Sequence, residues 1–175
     1  QADGINAALT AGVSSIEHGS YLDDESVRLF NETNAYLVPT LLAGVSLLEE
    51  MEINDQIPPP IVEKIKQVVP VVEESFKRAL KGGVKIAFGT DSGVSKHGTN
   101  AREFVLMVKY GMNNEEAIKS ATLNAADLLG MSNSIGSIES GKLADIIAFD
   151  ENPLNDITVM LDVEFVMKQG VVYKE

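Results

Sequence analysis

The chain has 175 residues, 45% of them hydrophobic, with no cysteine, two histidines and a formal net charge of −12 at pH 7. That length and apolar content suffice for a buried core, while the acidity argues against nucleic acids and anionic membranes as partners, since both need a basic footprint. Without cysteine there is neither a disulfide nor a thiolate metal site, so a bound metal would rely on histidine and carboxylate. No apolar run is long enough to span a bilayer and no signal-peptide pattern opens the chain, which sets the expectation of a soluble, cytoplasmic protein. The first residue is Gln1 rather than Met, which raises the expectation of a partial chain.

In chain order, Ile5, Ala8 and Leu9 ahead of Gly12 predict a helix over 3–11, followed by a short strand from Val13 to Glu17 that stops at His18-Gly19. Asp23, Asp24 and Glu25 supply acids for the N-terminus of a second helix, continued by Val27 and Phe30 to about Asn34. AYLVPTLL (35–42) reads as a buried strand that Pro39 shortens, and Glu49, Glu50 and Glu52 as a solvated face. Ile61, Ile65, Val69, Val72, Phe76 and Leu80 recur at helical spacing and predict a helix over 60–81, kinked or split at Pro70. Gly82-Gly83 closes it, and VKIAFGTD (84–91) follows as a strand. Further on, helices are expected near 100–110 and 115–129. From Gly136 the pattern changes to short strands in ADIIAFD, EFVMK and VVYK, the last two joined at Gln169-Gly170. Alternating helices and near-continuous apolar strands specify an α/β fold with a parallel sheet covered on both faces.

Three strand ends carry the candidates for chemistry: His18 after VSSIE, Thr40 after YLVP and Asp91 after VKIAFGT. In α/β folds functional groups collect at the carboxyl ends of strands. An imidazole and a carboxylate there suit Zn²⁺ or a similar divalent ion, and the carboxylate also suits a general base. Each has a plainer alternative. His18 also reads as a strand-terminal hydrogen-bonding histidine, Asp91 as a turn or capping residue in TDSG, His97 as a solvated loop residue, and Thr40 as structural.

The segments GVSSIEHG, GVKIAFGTDSG with HGTN behind it, ATLNAADLLG and GSIESGKLADIIAFDENPL together resemble the C-terminal portion of the metal-dependent amidohydrolase superfamily, in its imidazolonepropionase-like and prolidase-like (Xaa-Pro dipeptidase) branch. The resemblance implies an α/β fold made of the C-terminal part of a (β/α)8 barrel, about three strands with their helices, over 1–133. A short β-sandwich-type segment would follow over 134–175. It implies hydrolysis of an amide C–N bond by a metal-activated water. His18 would be a metal ligand from the sixth barrel strand, and Asp91 a metal ligand and catalytic proton carrier from the eighth. His97 and Asn100 would lie on a substrate-contacting loop. The implied cofactor is one or two divalent metals, most often Zn²⁺, and the implied partner a small peptide-like substrate, a dipeptide or N-acyl amino acid.

This sequence departs from the family pattern in lacking the His-x-His of the first strand, the carboxylated lysine of the fourth and the histidine of the fifth. A complete barrel takes about 250 residues. The expectation is therefore a partial enzyme, inactive by itself. A rival expectation is a non-catalytic scaffold that forms a homo-oligomer through open barrel edges and an exposed inner face. An unrelated α/β binding protein is the third reading, since fold pattern alone does not determine function.

Overall fold

The computed structural model describes residues 1–175. Helix α1 (Ala2–Thr10) leads into strand β1 (Ser15–Glu17), helix α2 (Asp24–Thr33), strand β2 (Tyr36–Val38), helices α3 (Leu41–Ile53) and α4 (Pro59–Lys81), and strand β3 (Lys85–Ile86). β1, β2 and β3 form a parallel sheet in that order, with Ile16 opposite Leu37 and Leu37 opposite Ile86. Helices α5 (Arg102–Lys109), α6 (Asn114–Ala121) and α7 (Leu123–Leu128) follow. A second, antiparallel sheet of β4 (Ile146–Ala148), β5 (Phe165–Lys168) and β6 (Val171–Lys174) closes the chain, with a 3₁₀ turn at Ile157–Leu161 between β4 and β5. The α/β class, the parallel three-stranded unit and the antiparallel terminal strands are those expected from sequence.

Local chemistry explains most boundaries. The acids at 23–25 start α2 as expected, and Asp23 is its N-cap: its Oδ1 accepts from the Ser26 backbone N–H at 2.7 Å, while Ser26 Oγ accepts from the Asp23 N–H at 3.4 Å. The prolines at 58–60 start α4, where the first N–H groups have no helical partner to lose. Gly82 must lack a side chain, because a Cβ there would lie 2.3 Å from Val27 Cγ1.

The strand in the apolar run 35–42 ends at Val38, shortened at Pro39 as expected, but the helix Leu41–Ile53 that follows it is not foreseen from the sequence, and three further expectations need correction. Pro39 offers no N–H to the ladder, and Thr40 (φ 49°) turns the chain out of it. The helix over Pro59–Lys81 runs unbroken through Pro70 rather than splitting there. The helix expected near 115–129 breaks at Thr122 (φ −121°, ψ −88°), whose hydroxyl donates to the Ile118 carbonyl at 2.8 Å. The third strand is shorter than 84–91, although the Ala87 N–H still reaches the Leu37 carbonyl at 3.0 Å.

The principal core lies between the sheet and its helices. It joins Leu9, Phe30, Leu37, Leu42, Phe76 and Met107, and takes in Ile157 and Met160 from the 3₁₀ turn. The C-terminal segment is thus packed onto the same core as the parallel sheet. Burying a side chain such as Phe76 or Phe30 contributes about 2–3 kcal/mol.

The two edges of the parallel sheet differ. At the outer edge of β3, Asn124 Nδ2 donates to the Ile86 carbonyl at 2.8 Å and the Phe88 N–H to the Ser120 carbonyl at 3.0 Å, so the α6–α7 junction stoppers that edge. β1 forms the opposite edge and pairs only with β2.

Candidate functional site

The carboxyl ends of the three parallel strands share a backbone peculiarity. His18, Thr40 and Asp91 all have positive φ, at 66°, 49° and 52°. This left-handed conformation is uncommon for residues with a Cβ and costs on the order of 1–3 kcal/mol at each, so it persists only where the surroundings enforce it. The two other non-glycine residues of this kind, Asn34 and Gln169, sit at a helix C-cap and a hairpin turn, where the conformation is ordinary.

The three strand-end residues line one cleft of about 300 Å³, walled by apolar side chains of α3 and α4 including Leu47, Val69 and Val72. His18 follows β1 directly and is held in the ladder by its own N–H, which donates to the Val38 carbonyl at 2.9 Å. Its ring Nδ1 lies 2.7 Å from Thr40 Oγ1. With the proton on Nδ1 donated to that hydroxyl, Nε2 keeps its lone pair available, the usual arrangement of a metal-binding histidine with a second-sphere partner. Thr40 is 6% exposed and therefore gives the ring a fixed anchor.

Asp91 occupies the cleft from the loop after β3, and the residues on either side of it are tied together. Asn100 Nδ2 donates to Thr90 Oγ1 at 3.1 Å and to Ser92 Oγ at 2.7 Å, and the two hydroxyls lie 3.1 Å apart. Asn100 thus braces the turn that carries Asp91. Gly89 enters this turn against β2: a Cβ there would lie 2.4 Å from Val38 Cγ1. His97 is exposed at the far end of the same loop and does not line the cleft. Of the four site residues expected from sequence, the fold brings His18 and Asp91 into one cleft, and Asn100 into contact with the turn bearing Asp91.

One functional-looking residue escaped the sequence reading. Glu103 on α5 is fully buried, and its Oε1 and Oε2 accept from the backbone N–H groups of Leu41 and Leu42 at 2.9 and 2.7 Å. Burial pushes its carboxyl up to about 7, against the opposing pull of those two N–H donors. A signal was present: Glu103 shares the stripe of Leu106 and Met107 on its helix, so an acid stood where the period required an apolar residue. Its neighbour Arg102 turns outward and pairs with Glu49 of α3, with Nη1 3.0 Å from Oε2.

No group of three or more His, Asp or Glu side chains converges to hold a metal ion. His18 and Asp91 are the right kind of donor for a divalent cation, but a catalytic zinc site takes three protein ligands and a water. The two fit such an ion in chemistry and fall short of it in number.

Residues 1–173 match the model of the amidohydrolase family. Ochratoxinase of Aspergillus niger is 35% identical over 184 residues, covering 98% of this chain and 36% of the relative. A 5-methylthioadenosine/S-adenosylhomocysteine deaminase of Caldanaerobacter subterraneus is 29% identical, covering 85% of this chain and 40% of its own length. Among solved structures, a Xaa-Pro dipeptidase with methionine bound in its active site superposes with a TM-score of 0.94 at 47% identity, over 99% of this chain and 43% of that one. A prolidase complexed with N-methylphosphonate-L-proline gives 0.90 at 33% identity, over 100% and 43%. The chain therefore spans well under half the length of these relatives.

Proposed function

The chain belongs to the amidohydrolase family, and on that premise we propose that it forms the C-terminal part of a metal-dependent hydrolase of amide bonds in dipeptides or N-acyl amino acids. The observation that carries this reading is the delivery of His18, Thr40 and Asp91, each in a left-handed backbone conformation, from three consecutive parallel strands to one cleft. In this reading His18, through Nε2, and Asp91 are two of the ligands of a divalent metal, Zn²⁺ by donor type. Such an ion, when bound, lowers the pKa of water and polarises a carbonyl.

The chain's own residues then have defined tasks. Thr40 holds the His18 ring by its Nδ1. Asp91 takes the proton of the attacking water on a carboxylate oxygen and returns it to the departing nitrogen. Leu47, Val69 and Val72 keep water from that wall of the cleft and receive an apolar part of the substrate. Asn100 acts through the turn it braces, and His97, outside the cleft, is placed to meet only a part of the substrate that extends beyond it. Residues 1–133 make up the barrel portion and 134–175 the sandwich-type portion. Because the cleft offers two donors, the remaining ligands come from outside these 175 residues, and this chain alone does not turn over substrate.

Calorimetric titration of the chain with Zn²⁺ tests the assignment. Weak binding is expected, lost in both His18→Ala and Asp91→Ala. Binding unchanged by both substitutions would overturn it, as would hydrolysis of Xaa-Pro dipeptides at rates that neither substitution alters.

The unpaired edge of β1 favours a second reading, a scaffold that self-associates through that edge, with the edge of β3 already covered. Light scattering on a size-exclusion column separates the two, since a monomer at high concentration excludes it.

A further inference from the structure

Thr40 is the N-cap of α3, yet its side chain makes no capping bond. At an N-cap a threonine hydroxyl ordinarily accepts from an N–H of the first helical turn. Here Oγ1 is 2.7 Å from His18 Nδ1 and is committed to the ring. The N–H of Leu42, at the second helical position that such a cap serves, is taken instead by Glu103, 61 residues further along the chain, which also takes that of Leu41. A carboxylate is suited to this place, because it accepts two bonds at once and lies at the positive end of the helix. Its complete burial is otherwise hard to justify for a glutamate, which is almost never fully buried unless partnered.

From this exchange of partners we infer that Glu103 is a positioning residue: by capping α3 in place of Thr40, it frees the Thr40 hydroxyl to fix the orientation and tautomer of the His18 imidazole. The inference rests on the assignment of His18 as a ligand, and it links two strand-end loops. Glu103 lies one turn beyond Asn100, so the segment that braces Asp91 continues into the helix that sets His18.

When Glu103 is removed, Thr40, at the N-cap position itself, is the residue placed to serve the orphaned Leu42 N–H. The hydroxyl then returns to ordinary capping, and His18 loses its Nδ1 partner.

The test uses the metal-free chain labelled with ¹⁵N-histidine, with His18 assigned by comparison with His97→Ala and its tautomer read from the ring nitrogen shifts above the histidine titration. In the unsubstituted chain the neutral His18 carries its proton on Nδ1. In Glu103→Ala the ratio of Nδ1–H to Nε2–H falls roughly fivefold or more, the equivalent of one ordinary hydrogen bond. In E103Q, which keeps the side-chain volume in case the alanine variant does not fold, the fall is in the same direction. Thr40→Val gives the same tautomer as Glu103→Ala, and combining the two produces no further change. If E103Q and Glu103→Ala reduce stability but leave the tautomer ratio of His18 as it was, Glu103 is structural only and the inference is overturned. Because no metal or substrate is present, that result leaves the assignment of His18 and Asp91 standing. Loss of zinc binding in neither ligand variant would overturn the assignment while leaving the tautomer result intact.

Discussion

Replacing Glu103 by glutamine should change how the stability of the protein depends on pH. The carboxyl is pushed up to about 7 from an ordinary value of 4.5, burial outweighing its two backbone donors. Between those values the native state retains a proton that the unfolded chain has released, so stability is fully present below pH 4.5 and is lost as pH rises through about 7. At about 1.4 kcal/mol per pH unit, the difference corresponds to about 3 kcal/mol. E103Q keeps one acceptor for Leu41 or Leu42 and sets an amide N–H₂ against the other, which costs about 1–3 kcal/mol at every pH but cannot titrate. Urea denaturation at half-unit steps from pH 4.5 to 8 reads both effects. The stability advantage of the unsubstituted chain over E103Q should shrink by about 3 kcal/mol across that window, with the urea dependence unchanged. A difference constant to within about 0.5 kcal/mol would refute the placement of a buried, titrating carboxylate at the start of α3.

Other substitutions probe the remaining contacts. Thr40→Val should weaken zinc binding by roughly 10–100-fold in calorimetry while costing little stability, because it removes only the anchor of the His18 ring. Asn100→Ala should cost about 1–2 kcal/mol in urea denaturation and speed amide hydrogen exchange across residues 90–95, since Thr90 and Ser92 lose a shared donor. Gly89→Ala should cost about 1–3 kcal/mol through collision with Val38, read as a lower melting temperature. Asn124→Ala should uncover the Ile86 carbonyl at the sheet edge and raise the tendency to associate, visible by light scattering.

Much of the architecture is legible along the chain because it arises from short-range rules. Helical spacing in 61–80, the acids before Val27 and the turn at Gln169-Gly170 act within a few residues of themselves, and α4, α2 and the β5–β6 hairpin stand where they predict. The stretch 35–53 misled for the same reason. YLV and LLAGV look alike to a local rule, and what divides them is Pro39, the left-handed turn at Thr40 and a carboxylate arriving from α5.

His18 and Asp91 could be singled out in the sequence because each ends an apolar strand. Residue types and strand order were sufficient for that, since parallel strands joined by helices present all their carboxyl ends on one side. Tertiary structure alone decided that Thr40 faces His18 rather than its own helix, that Asn100 grips both neighbours of Asp91, and that Glu103 replaces Thr40 as a cap. These are hydrogen bonds between groups from 8 to 62 residues apart, and their partners are chosen by packing. A buried N–H must find an acceptor wherever the fold brings one, and no local pattern in the chain records which acceptor that will be.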